Sequence, residues 1–412
     1  MSPSTKSGSD RVGVSDVKTV LNLIMSVIGI GVLALPKGIA EGGWAVSILM
    51  FVVTCSLSHV AVVLLHRCLY FADPKRPLLT YQAVGEAAFG PVGKTVVAIV
   101  NYLNLFTVCA CMLILLGDSL EVFWSNSSKL ARLSVAAVCV LPLAWLPSLK
   151  EVAAVSVVGV CAVFLTCAAV VAFCALEISS EPASLSAWPS KPMSVGISFA
   201  NFMNSYTVAP VVPSIVASMR NPEKFPTLSL VAFAIVSVVF LAIGFSGYLA
   251  YGAGIRDFSS VGDAINKAAA AEAGRTIQAL NITVQVGILL VCLSHFVSLF
   301  NPVALATEQL YLRLGRKREV HLWPRLALRT AVVAACYGLA AGVNNFTSLV
   351  NLLGATFVML LQIIFPFAFH HALAKRLAPA KALSDWITYG LVALGFLGMG
   401  VGTYASIASF KI

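Results

Sequence analysis

Four ionisable side chains stand inside long apolar runs or near their ends: His59, Asp118, His295 and Glu308. A group of that kind is costly to bury in an apolar medium, and its presence marks a candidate functional position. His295 titrates near neutral pH and can carry a proton. It therefore heads the proton-coupling candidates, with Asp118 and Glu308 behind it. Bland readings stand beside these: a hydrogen bond to a neighbouring carbonyl for His59 or His295, and a pairing with Arg313 for Glu308. Asn22, Asn101, Asn104, Ser294 and Ser298 add polar groups that could line a shared cavity.

Backbone chemistry is the second signal. Gly29-Ile30-Gly31 interrupts the first apolar run, followed by Leu35-Pro36. Each such glycine weakens a helix by about 1 kcal/mol relative to alanine. In lipid, freed backbone groups are tolerated only where protein or a cavity satisfies them. A break here would aim N–H groups at an anion such as a carboxylate; close helix contact through small residues is the alternative. The sixth run carries a second interruption, from Ser198 through Asn204 to Pro210 and Pro213. Proline removes a helix hydrogen bond and clashes with the turn before it. Paired breaks at corresponding places in two halves of a chain point to a transport site near the bilayer midplane.

Enzymatic patterns are missing. The sequence has no Gly-x-Ser-x-Gly, His-Glu-x-x-His, phosphate-binding loop or dinucleotide fingerprint. It contains no Thr-Val-Gly-Tyr-Gly filter of a potassium channel either. Its ten cysteines lie within or at the ends of apolar runs without any Cys-x-x-Cys. They read as packing residues, and neither a metal site nor any other cofactor is expected.

The elements that must hold these residues follow from composition. Of 412 residues, 59% are hydrophobic and 11% charged. A soluble domain carries about 25% charged residues, so the surface of this chain faces lipid. Eleven spans of helix length are predicted, at 17–36, 43–70, 92–123, 131–148, 152–177, 194–218, 227–252, 276–312, 324–344, 346–373 and 384–409. None alternates polar and apolar residues as a barrel wall does. With the N-terminus in the cytoplasm, 19 of the 27 lysines and arginines fall on the cytoplasmic side and 8 on the other, as the positive-inside rule asks. That topology also explains the net charge of +10, and no basic run with interleaved aromatics suits a nucleic acid. Residues 1–16 form a polar cytoplasmic tail without a cleavable signal, and residues 17–412 a single transmembrane domain. Thr80–Phe89 is a short amphipathic segment at the cytoplasmic interface. Gly254–Gly274 is a partly helical external cap.

Several motifs carry a resemblance across nearly the whole chain. They are Asn22 to Pro36 (NLIMSVIGIGVLALP) with Glu41-Gly42-Gly43-Trp44, Thr80-Tyr81 with Gly85 to Gly90, and Leu116-Gly117-Asp118-Ser119-Leu120. Pro213-Ser214-Ile215 with Ser218 to Pro222, Gly247-Tyr248 with Tyr251-Gly252, and Asn301 to Ala304 with Glu308 complete the set. In this order they resemble the amino acid/auxin permease family, in its vacuolar and vesicular amino acid transporter branch.

The resemblance implies an all-α, LeuT-type fold of eleven helices. Two inverted five-helix repeats, at about 17–177 and 194–373, would be followed by an extra helix at 384–409, with helices one and six broken. It implies transport of L-amino acids in an endomembrane such as the vacuole or lysosome, coupled to protons or, in other branches, to sodium. The implied substrate site takes Asn22, Met25, Ser26, Gly29, Ile30 and Gly31 from the first span and Asn201, Asn204, Ser205 and Tyr206 from the sixth. Asn104, Ser294 and Ser298 would contribute polar walls. This chain departs from the branch in having Met25 for an asparagine, Asn104 for a glutamate, Ala209 for a histidine, Val216 for a tyrosine and His295 for a lysine. Methionine is no ligand for a hard cation, so a proton is the expected coupling ion rather than sodium. Fewer fixed charges point to a neutral substrate. An uncoupled facilitator and a nutrient sensor are the alternative readings.

Overall fold

The computed structural model describes residues 13–71, 77–146, 149–178, 184–271, 274–315, 319–343, 345–377, 379 and 383–409. Of the expected cytoplasmic tail only its last residues fall among these. Helices account for nearly all of the described chain, and a single bridge between Val14 and Met219 is its only β pairing.

The first span is broken as its glycines require. Helix α1 (Asp16–Val27) ends at Ile28, Gly29 is extended, and a 3₁₀ turn at Ile30–Ala34 leads into α2 (Leu35–Gly42). Helix α3 (Trp44–Phe71) follows, then α4 (Tyr81–Ser119), α5 (Lys129–Ala144) and α6 (Leu149–Glu177). The sixth span repeats the pattern of the first: α7 (Pro192–Ser205), an irregular stretch, a 3₁₀ turn at Ala209–Val211, and α8 (Val212–Ser218). Next come α9 (Phe225–Tyr251), α10 (Val261–Ala271), α11 (Arg275–Leu314) and α12 (Leu322–Gly342). Helix α13 (Phe346–Leu353) runs through a π-helical stretch, Gly354–Ile364, into α14 (Phe365–Leu377), and α15 (Asp385–Ser409) closes the chain. Six spans, α3, α4, α9, α11, α13–α14 and α15, are each long and apolar enough to cross a membrane, and the bent pair α1–α2 makes a seventh.

Two sequence expectations gain a physical form. The amphipathic segment 80–89 is the first arm of α4, capped by Thr80 Oγ1, which accepts from the Ala83 N–H at 3.1 Å. An elbow at Phe89–Gly90 separates it from the rest, with Gly90 at φ 67° and ψ −158°. Only glycine reaches that conformation freely. The loop at 254–274 carries part of a 3₁₀ turn at Gly252–Asp257 and the helix α10, so it is partly helical as read.

The two broken spans are tied at both ends. At the α1 end, the Val14 N–H donates to Ser218 O at 2.8 Å and the Arg220 N–H to Val14 O at 3.0 Å. The Asp16 carboxylate accepts from Asn221 at 3.0 Å and Lys224 at 2.9 Å. At the opposite end, Ser194 Oγ at the start of α7 donates to Glu41 of α2 at 2.7 Å. Elsewhere small residues set the approach of helices: Gly159 of α6 faces Ser294 of α11, and Gly287 of α11 faces Thr166 of α6. Gly354 abuts the backbone carbonyl of Ala200. Gly354→Ala should therefore lower the melting temperature of the detergent-solubilised protein, by an overpacking penalty of about 1–3 kcal/mol. Gly400→Ala, whose new methyl meets nothing within 4 Å, should leave it unchanged or slightly raised; equal effects of the two would contradict this packing.

Candidate functional site

A cavity of about 630 Å³ lies against both helix breaks. From the first span it is lined by Asn22, Met25, Ser26, Val27, Gly29 and Gly31, and from the sixth by Asn204, Ser205, Thr207, Val208, Pro210, Val211, Ser214, Ile215 and Ser218. Asn101, Asn104, Leu105, Val108 and Met112 of α4 and Ser294, His295, Ser298 and Leu299 of α11 form the other walls, with Val358 between. No Asp, Glu, Lys or Arg is among these described residues. The cavity has a direction. Asn22, Ser26, Ser214 and Ser218 are exposed, whereas Asn104, Met112 and Ser294 are buried. It opens on the face where α1 begins and α8 ends.

The opposite face is stitched shut around Phe258 and Ser259, just before α10. Ser259 Oγ donates to Asp118 of α4 at 2.7 Å and accepts from the Phe346 N–H at 3.1 Å. Ser259 O accepts from Thr347 Oγ1 at 2.7 Å. Phe258 O accepts from Lys37 of α2 at 3.0 Å and Asn345 at 3.3 Å. Three spans thus converge on one short loop.

The two breaks dispose of their backbone groups differently. Gln362 Oε1, from the π-helical stretch, accepts from both the Val208 N–H at 2.9 Å and the Ala209 N–H at 2.8 Å. The sixth-span break is thereby satisfied within the protein. The first-span break opens into the cavity instead: a Cβ built at Gly29 would meet no atom within 4 Å. A 3₁₀ turn begins there with its first N–H groups lacking partners inside the turn, and such groups suit an anion.

Of the residues singled out from sequence, Asn22, Met25, Ser26, Gly29, Gly31, Asn204 and Ser205 line this cavity, with Asn104, Ser294, His295 and Ser298. The side chain of Ile30 lies outside the described residues. Asn201 is off the cavity wall. Its Nδ2 donates to Ala34 O at 3.1 Å and Asn351 Oδ1 at 3.0 Å, linking the two broken spans to α13. Tyr206 turns away from the cavity. Its hydroxyl bonds to Ser237 of α9 at 2.7 Å and its ring stacks on Phe233. Asp118 belongs to the stitched face. Glu308 is held at 2.7 Å by Arg329, not by Arg313. The same guanidinium donates to Ala144 O and Leu146 O at 2.9 and 2.8 Å. Both side chains are buried, so the pair braces α11 and α12 against the end of α5. His59 hydrogen-bonds Pro226 O at 3.3 Å, the bland reading given above. Gln362, Thr207, Ser214 and Ser218 were not among the predicted site residues, although Ser214 and Ser218 stand in the motifs quoted above. A lone glutamine in the apolar run 352–369 was the available signal for the first.

With this geometry in hand, comparison with known proteins is decisive. The profile of the family described as transmembrane amino acid transporter protein matches residues 13–408. The chain belongs to that family. It is similar to the amino acid transporter AVT1E of Arabidopsis thaliana, 27% identical over 406 residues, covering 95% of this chain and 72% of that one. Among solved structures it is similar to MhsT in complex with L-phenylalanine, at a TM-score of 0.57, 12% identity and coverage of 96% and 100%. The inward-facing conformation of Mhp1 matches with a TM-score of 0.59, 13% identity and coverage of 96% and 89%. The fold is thus of the LeuT type, and the chain is a membrane transporter rather than an enzyme.

Two substitutions probe how the breaks are held. Gln362→Leu removes the acceptor of two buried N–H groups, each worth about 1–3 kcal/mol when orphaned. Thermal unfolding should show a clear loss of stability, partly restored in Gln362→Glu, which keeps an acceptor oxygen. Arg329→Ala should destabilise by up to about 3–5 kcal/mol, because it leaves the buried Glu308 carboxylate with only the more distant Arg325, at 3.9 Å, as a charged neighbour. A melting temperature at wild-type level would refute the bracing role.

Proposed function

We propose that this protein is a proton-coupled secondary transporter of neutral L-amino acids working by alternating access. The observation that carries the reading is the cavity itself. It abuts an open helix break, carries no fixed charge among its described walls, and opens on one face only. An α-carboxylate would bind the N–H groups of the first-span break around Gly29-Ile30-Gly31. A neutral side chain suits the uncharged walls, since a charged one would be buried without a partner.

The bias of lysines and arginines favours a cytoplasmic N-terminus. On that topology the open mouth is cytoplasmic, and the stitched face looks into the lumen or the exterior. Alternating access then requires one repeat bundle to rock against a scaffold, undoing the contacts of Phe258 and Ser259 while the mouth closes. Proton binding must bias the same two-state equilibrium that substrate biases. His295 is the titratable side chain of the cavity wall, and it is the proposed carrier. Asp118, on the stitched face, is the next candidate, because its partner Ser259 must move when that face opens. Glu308 is the third, with its partner Arg329 arguing for a structural part. The resemblance to the vacuolar branch supports an endomembrane location.

The test is uptake of labelled neutral amino acids into proteoliposomes in sodium-free buffer, with and without an imposed proton gradient. Accumulation should require the gradient. Uptake should fall as pH rises through the range in which His295 loses its proton, and His295→Ala should flatten that dependence. Gradient-independent equilibration would instead establish a facilitator. An unaltered pH profile in a normally expressed His295→Ala protein would remove His295 from the coupling path.

A further inference from the structure

The polarity of the cavity wall is one-sided. Five of its hydroxyl groups donate their protons backward to carbonyls of their own helices. Ser26 donates to Asn22 O at 2.7 Å, Ser205 to Asn201 O at 3.1 Å, and Thr207 to Asn204 O at 2.9 Å. Ser218 donates to Ile215 O at 2.8 Å and Ser294 to Val291 O at 3.0 Å. The imidazole follows the same rule: His295 Nδ1 meets Val291 O at 3.1 Å, and that carbonyl can only accept. When the ring is neutral its proton therefore sits on Nδ1, and Nε2 offers a lone pair, the place where a coupled proton would bind. At these six groups, what remains for a ligand is lone pairs.

Two amides of the wall complement these acceptors, since a carboxamide carries both a donor and an acceptor. Asn101 and Asn104 stand one turn apart on α4, on the same face of the helix. The Oδ1 atoms of both are buried without a hydrogen-bond partner. Asn104 is only 6% exposed. A half-turn of a carboxamide about its last torsion is readily made, and it exchanges donor for acceptor toward the cavity. A ligand side chain with N–H donors and one acceptor therefore satisfies this wall, while an apolar one leaves its lone pairs and amides without partners.

Resting on the proposed transport of neutral amino acids, we propose that Asn101, Asn104, Ser294 and His295 form a specificity subsite for a donor-bearing neutral side chain, a carboxamide above all. Glutamine and asparagine are then preferred to apolar amino acids of equal size. The reason is an asymmetry of hydrogen bonding. Sites built to pair a polar group reject the analogue lacking it strongly, whereas an apolar pocket discriminates only weakly.

The experiment is competition against uptake of labelled alanine, whose methyl is too short to need the subsite, in proteoliposomes. Unlabelled asparagine should compete at least about tenfold better than leucine, its apolar isostere, and glutamine about tenfold better than methionine. Asn104→Leu should reverse the asparagine-to-leucine ratio; a merely structural loss would lower both competitors alike and leave the ratio intact. Leucine equal to or better than asparagine in the wild-type protein overturns the subsite but leaves neutral amino acid transport standing. An unchanged ratio in both Asn104→Leu and Asn101→Leu overturns the assignment of these residues. Absence of any amino acid flux overturns the transport reading and the subsite together.

Discussion

A helix cannot be interrupted in lipid without someone accepting its freed N–H groups, and this fold is arranged around two such interruptions. Each is settled differently. At the sixth span one glutamine oxygen, Gln362 Oε1, takes two consecutive N–H groups from a neighbouring helix. At the first span the corresponding space beside Gly29 is empty, and the cavity fills it. One break is thus closed as a structural joint and the other is left open to the cavity, although the sequence marks both with the same kind of disruption. The π-helical stretch that carries Gln362 fits this division, because such distortions often accompany functional positions.

The supporting structure separates into parts that fix geometry and parts that meet the ligand. Asn201 holds the first break, the sixth span and α13 in one hydrogen-bonded knot. Tyr206 anchors the sixth-span break to α9 through Ser237. Arg329 and Glu308 bind α12 and α11 to the end of α5. None of these faces the cavity. Removing any would disturb the site through its frame, which is how residues singled out for polarity within an apolar run come to serve stability.

Much of this was legible in the sequence because its causes are local. Glycine pairs, prolines and twenty-residue apolar runs act through backbone propensity and hydropathy, so helices stand at the predicted runs and both breaks appear, although the first run continues to Gly42. The separation of 80–89 from the span starting at 92 was readable, but not the positive φ at Gly90 that makes the elbow between them. Partner choice was also hidden. Arg313 lies close to Glu308 in sequence, but the paired guanidinium comes from Arg329 on the following helix. Tyr206 and Asn204 are two residues apart, yet the first turns into the core and the second into the cavity. That difference arises where the helix unwinds, and helical periodicity does not extend through it.

The bridge between Val14 and Met219 bears on how anything leaves the cavity. It fastens the first turn of α1 to the last of α8 by two backbone hydrogen bonds, with the Asp16 carboxylate adding two side-chain bonds beside it. The seam between those half-helices is laced at its outer edge. A molecule passing through that seam would have to unfasten main chain, so the laced seam behaves as a doorpost rather than a door.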